Sequence, residues 1–271
     1  MSKAALIYAY CLLPQDAALD MAGVEPIEAG SPLEIVRAGR LQAVCSQVGP
    51  DFEERTLNER FRDLDWLSPR AVRHHEVVDA LFGQCRPILP LTFGAIFRSR
   101  DALRSRIERD QVALAAALDR LARKAEWDLK LIREEDAFHS HLRSASDALR
   151  ALDAELQGKP PGTAFMLAKK IAALETAEAR RVSAEVRADV HAQLSDLASE
   201  ATVDELAPLP SEPRTRLEMR SAYLVSETAA AGLKLAVDGL SEQYGLLGYI
   251  FDLSGPWPPF SFAGRLPDTL G

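Results

Sequence analysis

The sequence predicts an α+β protein of two domains, closed by a proline- and aromatic-rich tail. Three observations carry this. Hydrophobic residues make up 47% of the 271 positions and charged ones 27%, the balance of a globular chain with material for a sizeable core; a chain of this length suits about two domains. Short apolar or alternating runs interleave with stretches of helical period. Glycine and proline clusters stand where one pattern gives way to the other. The expected boundaries are 1–123 for an N-terminal α+β domain, 124–254 for a C-terminal domain and 255–271 for the tail.

Residues 4–13 read as a first strand, closed by Pro14. Leu33-Glu34-Ile35-Val36-Arg37 and Leu41-Gln42-Ala43-Val44-Cys45 flank Ala38-Gly39-Arg40, the spacing of a hairpin with a glycine turn. A helix is expected from Asn58. Another follows Ser68-Pro69, a cap and a good first helical residue, with Val72, His75, Val78 or Asp79, and Phe82 at helical spacing and Gly83 as its stop. Residues 86–91 are apolar but interrupted by Pro87 and Pro90, which suits an edge or irregular strand. One further helix carries Leu103, Ile107, Val112, Leu114, Leu118 and Leu121.

The second unit opens with Trp127-Asp128-Leu129-Lys130-Leu131-Ile132, alternating as a half-buried strand does. Residues 139–156 read as a helix ended by Gly158-Lys159-Pro160-Pro161-Gly162. Residues 164–199, free of glycine and proline and rich in Ala, Glu, Arg and Leu, predict a long helix. A strand at 202–206, a loop with Pro208, Pro210 and Pro213, a strand at 217–225, a helix at 229–244 and a strand at 245–253 complete the unit. Strand, helices, strand, strand, helix, strand is a split βαβ order. The expectation is a modified ferredoxin-like fold with an added helix in its first crossover. No period of 20–50 residues repeats, which argues against a solenoid.

Several function classes lose support on chemistry. Forty acidic against thirty-two basic side chains give a net charge of −8, unfavourable for a general nucleic-acid binder whose affinity comes from neutralising phosphates. Cys11, Cys45 and Cys85 form no CxxC pair and sit among apolar neighbours, as inert core thiols do. The apolar start superficially imitates a signal peptide, but it carries one positive charge and two tyrosines and lacks a small-residue cleavage site. No run approaches the ~18 apolar residues that span a bilayer, so neither a membrane nor export is expected, and the reducing cytoplasm fits best. His74 and His75 are adjacent and would point ~100° apart on a helix, a poor metal pair; one should face the core with a hydrogen-bond partner and the other solvent. His139 and His141 lie two apart, and His191 stands alone. GxGxxG and GxSxG are absent, and Gly158-Lys159 is followed by Pro160 rather than a hydroxyl residue. Glu53-Glu54 and Glu134-Glu135 are only sequence neighbours. No catalytic, cofactor-binding or metal residue is therefore assigned, and no small-molecule substrate is expected.

What stands out is Gly255-Pro256-Trp257-Pro258-Pro259-Phe260-Ser261-Phe262, with three aromatics among its prolines. Proline holds such a piece extended and lowers the ordering cost of docking. It could strap the protein's own core, or Trp257, Phe260 and Phe262 could anchor a partner, since aromatics dominate interface hot spots. A second, weaker candidate is Pro87-Ile88-Leu89-Pro90-Leu91-Thr92-Phe93-Gly94, with Leu89 and Phe93 as its contacts.

Six motifs occur in order: Tyr8-Ala9-Tyr10; Leu41-Gln42-Ala43-Val44-Cys45-Ser46; Trp66-Leu67 with Arg73-His74-His75-Glu76-Val77-Val78; the Pro87–Gly94 stretch; Glu126-Trp127-Asp128-Leu129-Lys130; and the closing tail. Together they resemble the gas vesicle accessory protein family GvpL/GvpF over nearly the whole chain. The departures are small: Ala95 follows Gly94 where Thr is usual, and Phe260 stands where Tyr is usual. The resemblance implies a non-enzymatic accessory or minor structural protein of gas vesicles, with two α/β-type domains, the second a modified ferredoxin-like fold. Its implied partners are the small, very hydrophobic shell protein and other gas vesicle accessory proteins, in the cytoplasm and on the vesicle. A shell subunit exposes apolar surface before assembly; a soluble partner could cover it by strand addition or groove packing, the acidic balance keeping the complex in solution. The competing class is a ferredoxin-like ligand-binding or regulatory module, which saturable small-molecule binding would mark.

Overall fold

A strand apolar on both faces must lie between two covering layers, and β1 (Leu6–Pro14) meets that condition, with Ile7 to Leu13 all buried. The computed structural model describes residues 6–204 and 214–264; the first two residues of the expected opening strand lie outside them. The hairpin forms as β2 (Glu34–Ala38) and β3 (Leu41–Val48), joined by a two-residue turn in which Gly39 takes φ +58°. A 3-10 turn (Pro50–Phe52), α1 (Glu54–Arg60) and α2 (Leu64–Phe82) follow. Then come β4 (Leu89–Pro90), β5 (Ile96–Phe97), α3 (Arg100–Arg109) and α4 (Gln111–Leu121). The first sheet runs β2-β3-β1-β4, with β5 also paired to β1; all of these pairings are antiparallel.

Three expectations change here. The helix foreseen after Ser68-Pro69 starts at Leu64, because the Asp63 carboxylate caps it by accepting the Trp66 N–H at 3.2 Å. Pro69 is then internal; the carbonyl it cannot serve belongs to the exposed Asp65, which water reaches. The buried face carries Trp66, His74, Val77, Val78, Leu81 and Phe82, so Val78 and Phe82 lie inward as the spacing expects while Val72 and His75 are exposed. The single helix foreseen over 103–121 is two, since the chain leaves helical geometry at Asp110, which resets the phase and turns Val112 to solvent.

The second sheet is built from β6 (Lys124–Glu134), β7 (Glu200–Val203), β8 (Thr215–Ser226) and β9 (Tyr249–Trp257), in the order β7-β8-β6-β9. Between β6 and β7 run α5 (Glu135–Ala145), α6 (Asp147–Leu156) and the long α7 (Pro161–Ser195). The helix foreseen over 139–156 is thus split at Ser146, whose hydroxyl caps α6 by accepting the Leu149 N–H. α8 (Ala230–Gly245) joins β8 to β9. The last strand falls later than foreseen, because a turn with Gly248 at φ +87° precedes it. It takes in Trp257, and the 3-10 turn Phe260–Phe262 follows. The last residues of the strand expected at 202–206 and the loop with Pro208, Pro210 and Pro213 lie outside the described residues.

The chain divides into two compact units, Met1–Glu126 with Pro256–Gly271, and Trp127–Gly255. In the first, Tyr8, Tyr10, Phe52, Trp66, Leu81 and Ile88 head the core. In the second, Trp127, Leu131, Phe138, Val190, Tyr223 and Leu233 do so, with a small satellite of Leu149, Leu152 and Ile171. Among the described residues no helix is long and apolar enough to cross a membrane, and no cluster of three or more His, Cys, Asp or Glu is placed to hold a metal ion.

Candidate interaction surface at the proline–aromatic tail

A histidine at an inward helix position needs both ring nitrogens served if it is to stay buried. His74, on the inner face of α2, is 1% exposed and has both. Its Nε2 lies 3.0 Å from the Leu91 carbonyl, which can only accept, so Nε2 carries the hydrogen. Nδ1 then accepts from the Tyr8 hydroxyl at 2.9 Å, and that hydroxyl in turn accepts the Gly94 N–H at 3.3 Å. One imidazole therefore ties the segment after β4 to the central strand. Burial holds His74 down at about 4 from its usual 6.5, helped by the neighbouring His75 and opposed by the Leu91 bond. Burial pushes the Tyr8 phenol well up, and Tyr10 up to about 12. His75, exposed beside it, is the solvent-facing partner that the adjacent pair required.

Phe93 and Phe260 both meet this histidine, with ring centroids 6.0 and 5.8 Å from that of His74; Phe260 also lies 4.4 Å from His75. Two stretches more than a hundred and fifty residues apart are thus brought to one place in the first unit. The tail reaches it through a clamp. Pro258 and Pro259 are buried, and the Glu126 carboxylate accepts the Ser261 N–H at 2.8 Å and the Ser261 hydroxyl at 2.6 Å. The Arg120 guanidinium donates to the Phe262 carbonyl.

The five candidate contacts separate by burial. Leu89 (2% exposed) pairs with Leu12 inside the sheet, and Phe262 is 6% exposed. Phe93 and Phe260 are half-buried against the core. Trp257, at 42%, is exposed. Leu89 and Phe262 therefore serve the protein's own packing in this conformation, and residues 258–262 strap their own unit. Glu126 and Ser261, which hold that strap, lie in two of the six ordered motifs but are given no role by the sequence reading. The signal available was a glutamate set between Ala125 and Trp127. The three cysteines are free, and burial raises all three thiols, Cys45 to about 12.

Comparison with known proteins gives this arrangement a setting. A family model described as gas vesicle synthesis protein GvpL/GvpF matches residues 6–264. The chain is 31% identical over 249 residues to gas vesicle protein L of Streptomyces sp. (strain CB03234), covering 87% of this chain and 84% of that one. It is 29% identical over 206 residues to gas vesicle protein L2 of Halobacterium salinarum, covering 74% and 73%. The crystal structure of GvpF from Anabaena sp. PCC7120 superposes with a TM-score of 0.71 at 14% identity, over 96% of this chain and 98% of that one. The mixed helix and antiparallel-sheet fold is thus shared with a solved gas vesicle protein. The chain belongs to the GvpL/GvpF family of gas vesicle proteins.

Proposed function

We propose that this protein is a non-enzymatic assembly factor of gas vesicles that binds the hydrophobic shell protein and shields its apolar surface until it is built into the wall. The observation that carries the finer part is Trp257. It is a large aromatic left 42% exposed at the end of β9, directly before two buried prolines that hold the backbone around it. An exposed, pre-positioned tryptophan loses little conformational freedom on docking and brings a large apolar area to a partner. The half-buried Phe260 and Phe93 are weaker candidate contacts, and the −8 net charge keeps a complex with an apolar subunit in solution.

The second unit fits the split βαβ scheme. Relabelled by chain order, its strands run second, third, first, fourth across the sheet, with one helical crossover enlarged to three helices. We read it as a modified ferredoxin-like domain, preceded by an α+β domain whose own sheet the tail straps. Residence in the cytoplasm and on the growing vesicle, and contacts with other accessory proteins, belong to the same proposal.

The test is capture of freshly synthesised shell protein by tagged wild-type chain and by Trp257→Ala. Loss of capture with an unchanged urea midpoint supports the assignment, because it separates the contact with the partner from any part Trp257 plays in folding. Equal capture by both proteins sinks Trp257 as the contact, and no capture by the wild type sinks shell-protein binding itself.

A further inference from the structure

The second unit holds a cleft to which the proposed shell-protein contact assigns no part. It has a volume of about 420 Å³ and is walled by α7, β8 and the junction of β6 with α5. Arg180, Ser183 and Arg187 occupy one face of α7, three and seven positions apart. Arg216 and Glu218 point to the same face of β8, two positions apart. Arg133 and Glu135 close the floor.

The floor is electrically complete. The Arg133 side chain is 6% exposed; its Nε and Nη2 donate to Glu135, its Nη1 donates to Ser183 Oγ at 2.7 Å and lies 3.1 Å from Glu218 Oε1. The rim is not. Arg187 Nη1 donates to Glu218 Oε2 at 2.8 Å, and Arg216 Nε stands 3.3 Å from Oε1, so one carboxylate is divided among three guanidiniums. Glu135 is likewise shared between Arg133 and His139. Among the described residues Arg180 meets no carboxylate. Among the described lining residues, four arginines stand against two glutamates, a surplus of two positive charges from these side chains in a chain whose net charge is −8. Arg187 and Arg216 remain 40% and 62% exposed, with further N–H donors turned to water.

We propose that this cleft is a binding site for a small multivalent oxyanion, held by Arg180, Arg187 and Arg216. A guanidinium presents paired donors in a rigid fork that matches phosphate and carboxylate oxygens, and such bonds are the strong ones. The size lies within the roughly 300–1,000 Å³ of small-ligand pockets. The lining sets the class. Among the described residues it carries, apart from His139, no aromatic ring on which a base could stack, and no large apolar anchor of the kind a docked polypeptide needs. Charge and forked donors are what remain.

Inorganic pyrophosphate is the probe, titrated calorimetrically into the full chain near physiological ionic strength, with sodium chloride at matched ionic strength as the control. Wild type should bind saturably at about one equivalent. Arg180→Ala and Arg216→Ala remove exposed side chains and should leave the unliganded melting temperature unchanged. Each should weaken binding by roughly tenfold or more, the loss of one charge-assisted contact. No saturable heat with the wild type, or the same affinity in both variants, overturns the site.

Discussion

The buried His74 makes the stability of the first unit depend on pH in a window that its environment defines. The ring is neutral in the folded protein, and its value falls from 6.5 to about 4 because burial disfavours the cation. Between those values the unfolded chain binds more protons than the folded one, so stability falls as pH falls. The full shift corresponds to about 3 kcal/mol, of which about 2 kcal/mol is lost between pH ~7.5 and pH ~5. Protonation would also place a hydrogen on Nδ1, where the Tyr8 hydroxyl now donates, and oppose two donors 2.9 Å apart. The variant is His74→Gln, whose amide keeps a donor and an acceptor but does not titrate. At neutral pH it should be less stable by about 1–3 kcal/mol, the cost of imperfectly served buried groups. The measurement is urea unfolding of both proteins at the two pH values. Wild type should lose about 2 kcal/mol more than the variant on acidification; His75 and the carboxylates are common to both and largely cancel. Equal losses would refute the claim that His74 is the group whose burial sets this dependence.

Two other outcomes follow from local geometry. Gly248→Ala places a Cβ 2.9 Å from the Phe138 backbone nitrogen at a residue with φ +87°. It should lower stability by roughly 2–4 kcal/mol, read as a fall in urea midpoint; a neutral result would mean that the turn before β9 relaxes freely. Ser261→Ala removes the 2.6 Å hydroxyl contact with Glu126, worth about 1–2 kcal/mol for a bond to a charged group at a partly exposed site. Hydrogen exchange should then quicken in residues 258–264 while the core strands keep their protection. Unchanged exchange there would show that the clamp does not hold the strap.

Much of this protein is legible in order and composition. The doubly buried β1, the Gly39 hairpin, the long α7 and the succession of elements in the second unit follow from hydrophobic period and from glycine and proline placement, which act within a few residues. The six ordered motifs carry a resemblance to the family that the family model matches over residues 6–264. Helix ends and phases were less legible. A single side chain, Asp63 or Ser146, moves a boundary by capping, and the break at Asp110 resets which face is buried. The division of the candidate contacts depended on tertiary structure alone. Leu89, Phe262 and Trp257 are alike in sequence as apolar residues among prolines, yet two are buried and one is exposed. What separates them is the pairing of Leu89 with Leu12 in the sheet and the Glu126–Ser261 clamp beside Phe262, contacts between residues far apart along the chain. The arginine cleft is of the same kind: α7 and β8 each place their side chains by local period, but only the packing of helix on sheet brings three guanidiniums to share one carboxylate.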